Sequence, residues 1–222
     1  RAHFSVRVIS ISLVTPKMPS SKVTVRFVWR SRPARPLVRG RGPLPKKASK
    51  AWSVKEGAIV GEGDKGRSYL VWENHDIADF EMKLCYKFPG KGNSGIKFHT
   101  AYEIQVLDNY KNQSNPKGQA GSVYKQHVPL VNACRPPGQW QTYDIVFRAP
   151  YCDKAGKRVK MGTFTVFHNG ILVQDKVDIF GRTNSSRPVS PDYKQAFFLQ
   201  DHGSLVSYRN IWVRELERLP LD

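Results

Sequence analysis

The first fifty residues contain 13 Lys or Arg and no Asp or Glu. The 222-residue chain carries a formal net charge of +18, which by itself would suit a nucleic-acid partner. After residue 50, however, 23 Lys or Arg stand against 18 Asp or Glu. The basicity belongs to the N-terminal stretch, and no nucleic acid is expected as a partner of the part that follows. Cysteine is scarce as well. Cys85, Cys134 and Cys152 are an odd number with no C-x-x-C spacing, which argues against a zinc-ribbon type of metal site. Cys85 falls in an alternating apolar run and reads as a small buried hydrophobe, while Cys134 and Cys152 could pair in an oxidising compartment. No apolar run approaches the roughly 20 residues that span a bilayer, so no transmembrane helix is expected. The stretch Val8–Val14 is broken by serines and followed by Pro16 and Lys17, a poor core for a signal peptide. Nowhere does an apolar 3.6-residue period persist over three turns, which argues against a helical fold.

Residues 30–50 are rich in Arg, Pro and Gly. Like charges repel and proline removes backbone donors, so this segment is expected to stay unfolded by itself. It reads either as a basic arm for an anionic surface or as an artefact, a gene start placed too early or a frameshift; the artefact is preferred. The expected organisation is a basic tail over 1–50, a folded domain over 51–217 and a short C-terminal tail over 218–222.

From Trp52 onward the sequence reads as strands. Trp52–Val60 is strand, Glu-Gly turn, strand. In Asp79–Phe88 the residues Phe80, Met82, Leu84, Tyr86 and Phe88 share one face, the period of two expected of a strand with one buried side. Further strands are expected at 67–72, 94–99, 102–107, 140–148, 164–168, 171–177, 196–200 and 207–216. Asn169-Gly170 joins two of them, and Asn-Gly is the strongest short hairpin signal because a type I′ turn needs positive φ twice. About ten short strands with turn chemistry between them mean an all-β, two-sheet antiparallel β-sandwich or jelly roll.

Candidate chemistry concentrates in three places. In Tyr102–Asp108, Glu103 and Gln105 project from one face of a strand and Tyr102, Ile104 and Val106 from the other. A carboxylate and an amide thus stand side by side, though a solvated strand face would look the same. In Phe197–Gly203 a strand ends in Gln200, Asp201 and His202, the imidazole being suited to a base or a metal ligand. An exposed His beside a turn-closing Asp is the plainer reading. His99 shares that ambiguity. In Arg135–Asp144 a Pro-Pro-Gly turn precedes Trp140, which is expected to seal one end of the core rather than stack on a sugar. The roles of Tyr124 and Lys125 stay open.

The strings Gly-Asn-Ser-Gly (92–95), Tyr-Glu-Ile-Gln-Val-Leu-Asp (102–108), Trp-Gln-Thr-Tyr-Asp-Ile (140–145), His-Asn-Gly (168–170), Leu-Gln-Asp-His-Gly (199–203) and Tyr-Arg-Asn-Ile-Trp-Val (208–213) resemble the 3-keto-disaccharide hydrolase domain. Several motifs in order over about 52–216 are far more specific than any one of them. The resemblance implies a concanavalin A-like lectin/glucanase sandwich acting on glycosides whose sugar is oxidised at C3. In one respect the chain departs from the family: the usual Leu-Phe-Asp-Gly segment and Gly-Trp pair are absent before Trp52. That segment ordinarily forms an edge strand, so its loss is expected to leave an unpaired edge.

An ordinary glycosidase needs two carboxylates about 5–10 Å apart. Glu103 and Asp108 would point to opposite faces of a regular strand with about 16 Å between them, so they do not serve. A 3-keto sugar removes that need, because the ketone acidifies the proton on C2. The scheme implied is proton abstraction by Glu103 or His202, elimination of the C1 oxygen, and addition of water, with net hydrolysis. Asn93, Gln105 and Gln200 are candidate donors to the enolate, with Tyr124 a further substrate-binding candidate. A divalent metal held by Glu103 and His202 would serve the enolate equally. A periplasmic or secreted setting is the expectation for such a carbohydrate-active enzyme. The alternative is a non-catalytic, lectin-like carbohydrate-binding module, since fold alone does not assign catalysis.

Overall fold

The computed structural model describes residues 9–12, 24–30, 52–63, 69–72, 77–99, 101–112, 117–183 and 195–221. Among these there is no helix, and the chain forms fifteen strands, every pair of them antiparallel. In chain order they are β1 (Ile9–Ser12), β2 (Thr24–Arg30), β3 (Trp52–Lys55), β4 (Ala58–Glu62), β5 (Tyr69–Trp72), β6 (Phe80–Lys87), β7 (Asn93–Phe98) and β8 (Tyr102–Leu107). There follow β9 (Gln141–Arg148), β10 (Tyr151–Cys152), β11 (Arg158–Lys160), β12 (Gly162–His168), β13 (Ile171–Ile179), β14 (Phe198–Gln200) and β15 (Leu205–Glu215).

One sheet has the order β1-β2-β5-β14-β7-β8 and the other β13-β12-β9-β6-β15-β4-β3, with β10 and β11 a separate small hairpin. The expected two-sheet antiparallel sandwich is therefore the fold. Its local signals act as read. Glu56 and Gly57 both take positive φ between β3 and β4, and Asn169 and Gly170 do so between β12 and β13. The β6 face of Phe80, Met82, Leu84 and Tyr86 is buried and meets the inner face of the other sheet. Across that interface Phe80 stacks on Phe98 at 5.4 Å and Phe147 packs on Phe98 at 5.2 Å. Burying each such ring contributes roughly 2–3 kcal/mol.

Several expectations change. Cys85 lies on the outward face of β6 and is only half-buried, because its neighbours Leu84 and Tyr86 hold the inward positions; Asn210 Nδ2 donates to its Sγ at 3.8 Å. All three cysteines are free. Trp140 does not seal the core but is half-buried beneath cations, with the Arg209 guanidinium 3.9 Å and the Lys87 ammonium 5.0 Å from its ring centre. His99 is buried with φ 47°, its Nε2 3.2 Å from the carbonyl of Ile77 and its ring 4.8 Å from Phe147, which makes it a core residue. Within the stretch expected to be tail, β2 pairs with β5, Phe27 opposite Trp72 and Arg30 opposite Tyr69, and β1 pairs with β2. Residues 31–50 lie outside the described residues. At the other end Arg218 bonds to the buried Asp79 and to the carbonyls of Ala149 and Pro150, at 3.0 and 2.8 Å, so the expected C-terminal tail begins with a fixed residue.

Candidate active site

The site is built on the face of the six-stranded sheet that turns away from the core. Register decides which side chains share it. In the β7–β8 hairpin Lys97 stands opposite Glu103, Gly95 opposite Gln105 and Asn93 opposite Leu107. On the other flank of β7, Phe198 opposes Lys97 and Leu199 opposes Ile96, which carries Gln200 beside Gly95. Beyond β14, Gln200 opposes Tyr69. The alternate residues Ile96, Phe98, Tyr102, Ile104 and Val106 fill the core, as expected of β8.

This outer face is itself buried at Lys97, Glu103, Gln105 and Gln200, where a solvated face would leave them exposed. Its apolar half is a small cluster of Val71, Ala196 and Phe198 with Tyr69. Its polar half is ordered by direct bonds. Lys97 Nζ donates to Glu103 Oε2 at 2.6 Å, Gln105 Nε2 to Asn93 Oδ1 at 2.9 Å, and Gln200 Nε2 to the Tyr69 hydroxyl at 3.3 Å. Gln200 Oε1 is buried without a hydrogen-bond partner. A Cβ built on Gly95 would collide with Glu103 Oε1 and stand 3.2 Å from Gln200 Oε1, so both oxygens converge over that glycine.

The backbone beneath Glu103 is held on the far side of β8. Its N–H donates to Thr183 Oγ1 at 2.7 Å and its carbonyl accepts from the N–H of Tyr124 at 3.0 Å. Gln105 is held in the same way by Ser122 and Gly121, each at 3.0 Å. Such bonding on both flanks fixes where the two side chains start, the condition for a preorganised site.

The structure thus brings Asn93, Glu103, Gln105 and Gln200 onto one face. Tyr124 joins them through its backbone, while its half-buried ring lies 3.7 Å from the Cβ position of Gly118, with the Lys125 ammonium 5.6 Å from the ring centre. His202 is half-buried in the turn beyond β14, two residues past Gln200, where Gly203 takes φ 83° and donates to Asp201 Oδ1 at 2.9 Å. Lys97, Gly95 and Tyr69 are the members that sequence reasoning missed. Lys97 carried no signal in the sequence: between the core residues Ile96 and Phe98 a lysine is what any strand with one solvated face would show.

A divalent cation does not fit what is present. Among the described residues no three His, Cys, Asp or Glu side chains converge. The carboxylate of Glu103 already faces an ammonium group.

The sandwich places the chain in a fold class shared with solved carbohydrate-related proteins. A 'putative glycosyl hydrolase' from Parabacteroides distasonis is 32% identical, with 93% of this chain and 84% of that one covered and a TM-score of 0.70. A second protein so described from the same organism is 22% identical over 76% of this chain and 85% of that one, with a TM-score of 0.57, and shares the fold. No curated protein matches the chain. The chain belongs to the 3-keto-alpha-glucoside-1,2-lyase-like domain family, whose model matches residues 41–214. The match begins ten residues before the domain boundary expected at 51.

Proposed function

We propose that the domain cleaves glycosides whose sugar carries a ketone at C3, with Glu103 as the base that removes the C2 proton. The observation that carries this reading is the buried Glu103–Lys97 pair, 2.6 Å apart, with amides on either side. In a 3-keto sugar the acidic proton on C2 and the oxygen on C3 are borne by adjacent carbons. A carboxylate and an ammonium in contact match that spacing of a base and an electrophile. Glu103 takes the proton, and the electron pair moves from the C2–H bond into the C3 carbonyl to give an enolate. Lys97 Nζ, with an amide N–H of Gln105 or Gln200, faces the negative oxygen. The enolate then re-forms the carbonyl, the C1–C2 double bond forms, and the C1–oxygen bond breaks. The leaving oxygen takes a proton, for which His202 is the candidate donor. Addition of water returns hydroxyl to C1 and a proton to C2, giving a free 3-keto sugar and the released alcohol.

Burying an ion pair costs several kcal/mol of desolvation per ion, a poor arrangement for mere stability. For that reason the catalytic reading is preferred to a lectin-like module, whose groove would rest on aromatic platforms. The test is incubation of the protein with a 3-keto-glucoside and measurement of released alcohol. Turnover is expected in the wild type, and Glu103→Gln is expected to keep the fold and slow elimination by roughly 10²–10⁴. A folded Glu103→Gln protein at full rate would remove Glu103 from the mechanism. A wild type inert on 3-keto-glucosides that binds sugars would favour the module.

A further inference from the structure

The inner face of the seven-stranded sheet carries Tyr143 on β9 and Tyr208 on β15, both fully buried in the core. A buried hydroxyl is costly unless bonded, and phenylalanine would fill such a place without that cost. Both hydroxyls reach across the sandwich to the opposite sheet. The Tyr143 hydroxyl donates to the carbonyl of Gln105 at 2.8 Å. The Tyr208 hydroxyl lies 2.5 Å from Ser94 Oγ, which lies 2.5 Å from the carbonyl of Gln200. A carbonyl only accepts, so Ser94 donates to Gln200 and Tyr208 donates to Ser94. Ser94 is itself fully buried on the inward face of β7. The backbone pairing of β14 with β7 ends at Leu199, so this side-chain bond extends the join to Gln200. By contrast, Tyr86 on β6 meets His168 of its own sheet at 3.0 Å.

We infer that Tyr143 and the Tyr208–Ser94 pair are positioning residues for the elimination, acting from the core through the carbonyls of Gln105 and Gln200 to set the two amides beside Glu103. The inference rests on the elimination reading of that face. Two hydroxyls of one sheet find the backbones of the two amide residues on the other. Each glutamine is held at its far end as well. Gln105 Nε2 donates to Asn93 Oδ1 at 2.9 Å, and Gln200 Nε2 to the Tyr69 hydroxyl at 3.3 Å. With both ends fixed, an amide stands in one place before substrate arrives, and donors so preorganised need not rearrange as charge develops. Gln200 depends on its link the more. Its Oε1 meets Glu103 Oε1 over Gly95, whereas the carbonyl of Gln105 also accepts from the N–H of Gly121 at 3.0 Å. Burial pushes both phenols up from their ordinary value, so both stay protonated and keep donating near neutral pH.

The experiment takes the full chain, with a 3-keto-glucoside as substrate, and adds a readout that needs no turnover. Tyr208→Phe and Ser94→Ala are each expected to lower kcat roughly tenfold and to move KM by less than about twofold, because the amides meet charge that develops only in the transition state. Tyr143→Phe should act in the same sense but more weakly. Ser94→Ala removes the smaller group and tests the same link should Tyr208→Phe not fold. Val166→Ala, at a buried inward position of β12, should lower the melting temperature and leave kcat unchanged. In a Gln200→Ala background, Tyr208→Phe should bring no further loss of kcat, since it acts through Gln200. By NMR, the side-chain amide signals of Gln200 should shift in Tyr208→Phe and Ser94→Ala, and those of Gln105 in Tyr143→Phe. An unchanged kcat in folded Ser94→Ala, an equal kcat loss in the Gln200→Ala background, a kcat loss shared by Val166→Ala, or amide signals that do not move would overturn the inference. Amide signals that shift as expected beside a wild type without turnover would instead overturn the elimination reading and leave the link from core to outer face standing.

Discussion

A side chain on Gly95 would occupy the space in which Glu103 Oε1 and Gln200 Oε1 now meet. The obstructing atoms are the far ends of flexible side chains, and the backbone there needs no left-handed conformation. Gly95→Ala should therefore leave the melting temperature within a few degrees of wild type while displacing the carboxylate from its place beside Lys97. Elimination is expected to fall at least tenfold, read as kcat on a 3-keto-glucoside beside a thermal melt; loss of fold with loss of activity would contradict it. Two buried histidines set a different residue-scale expectation. Burial pushes His99 down to about 4 and His168 down to about 3 from an ordinary value of 6.5. Both are neutral in the folded state, so the unfolded chain binds more protons at mild acidity. Their contribution is complete above pH 6.5 and is lost as pH falls toward 4 and then 3. The fall at His99 alone corresponds to roughly 3 kcal/mol. Urea midpoints measured from pH 7.5 to 4.5 should drop steadily, and His99→Asn, which tolerates the positive φ, should flatten the profile.

At the scale of elements, β3 to β9 and β12 to β15 were legible as strands, including β5, β7, β8 and β14, whose two faces are both largely covered. β6 alternates in sequence because its outer face meets solvent or cations, and its buried face was read correctly, whereas β9 was read only as a strand with no face assigned. The apolar face of β8 was read correctly, while its polar face stayed open between lining a groove and meeting solvent, since sequence does not reveal that a polar face is covered. Of the groups around Glu103, Gln200 was expected and Lys97 was missed, because Lys97 reaches it only through the register of β7 against β8, which no local pattern encodes. The short hairpin β10–β11 has no alternation to find. Another contact invisible in sequence is the C-terminal latch. Asp79, with its side chain 2% exposed, is held by Arg148 at 3.2 Å, by the N–H of Ala149 at 2.9 Å and by Arg218, whose guanidinium also lies 3.7 Å from the centre of the Tyr151 ring. Arg218→Ala removes one of two cations from a buried carboxylate. A loss of about 2–4 kcal/mol in stability is expected from chemical denaturation. A change below 0.5 kcal/mol would show the latch to be ornamental.

For the whole molecule, the first question is what residues 1–50 contribute. The described core cluster runs from Trp52 to Ile211, whereas β1 and β2 add to the sheet beyond β5. A chain starting at Ala51 is therefore expected to fold and to keep the elimination activity proposed above. It would, however, present the unpaired edge of β5, and exposed edges template association. Light scattering should show the shortened protein self-associating at concentrations where the full chain does not. A shortened protein that fails to fold would assign the N-terminal strands to the core.

β14 lies between β5 and β7, and β15 between β4 and β6, so an interior strand of each sheet comes from residues 198–215. During synthesis the earlier strands leave the ribosome with a gap in the middle of each sheet. Neither sheet can close until nearly the last residues have been made. Glu103 waits longer than its place in the sequence suggests, because Gln200 arrives almost a hundred residues later. Pairings of such long range are slow to form, and the open edges stay exposed meanwhile to neighbouring nascent chains. The polar cluster around Glu103 and the closure of the sandwich are thus completed by the same late event, so that a polypeptide released early would carry neither.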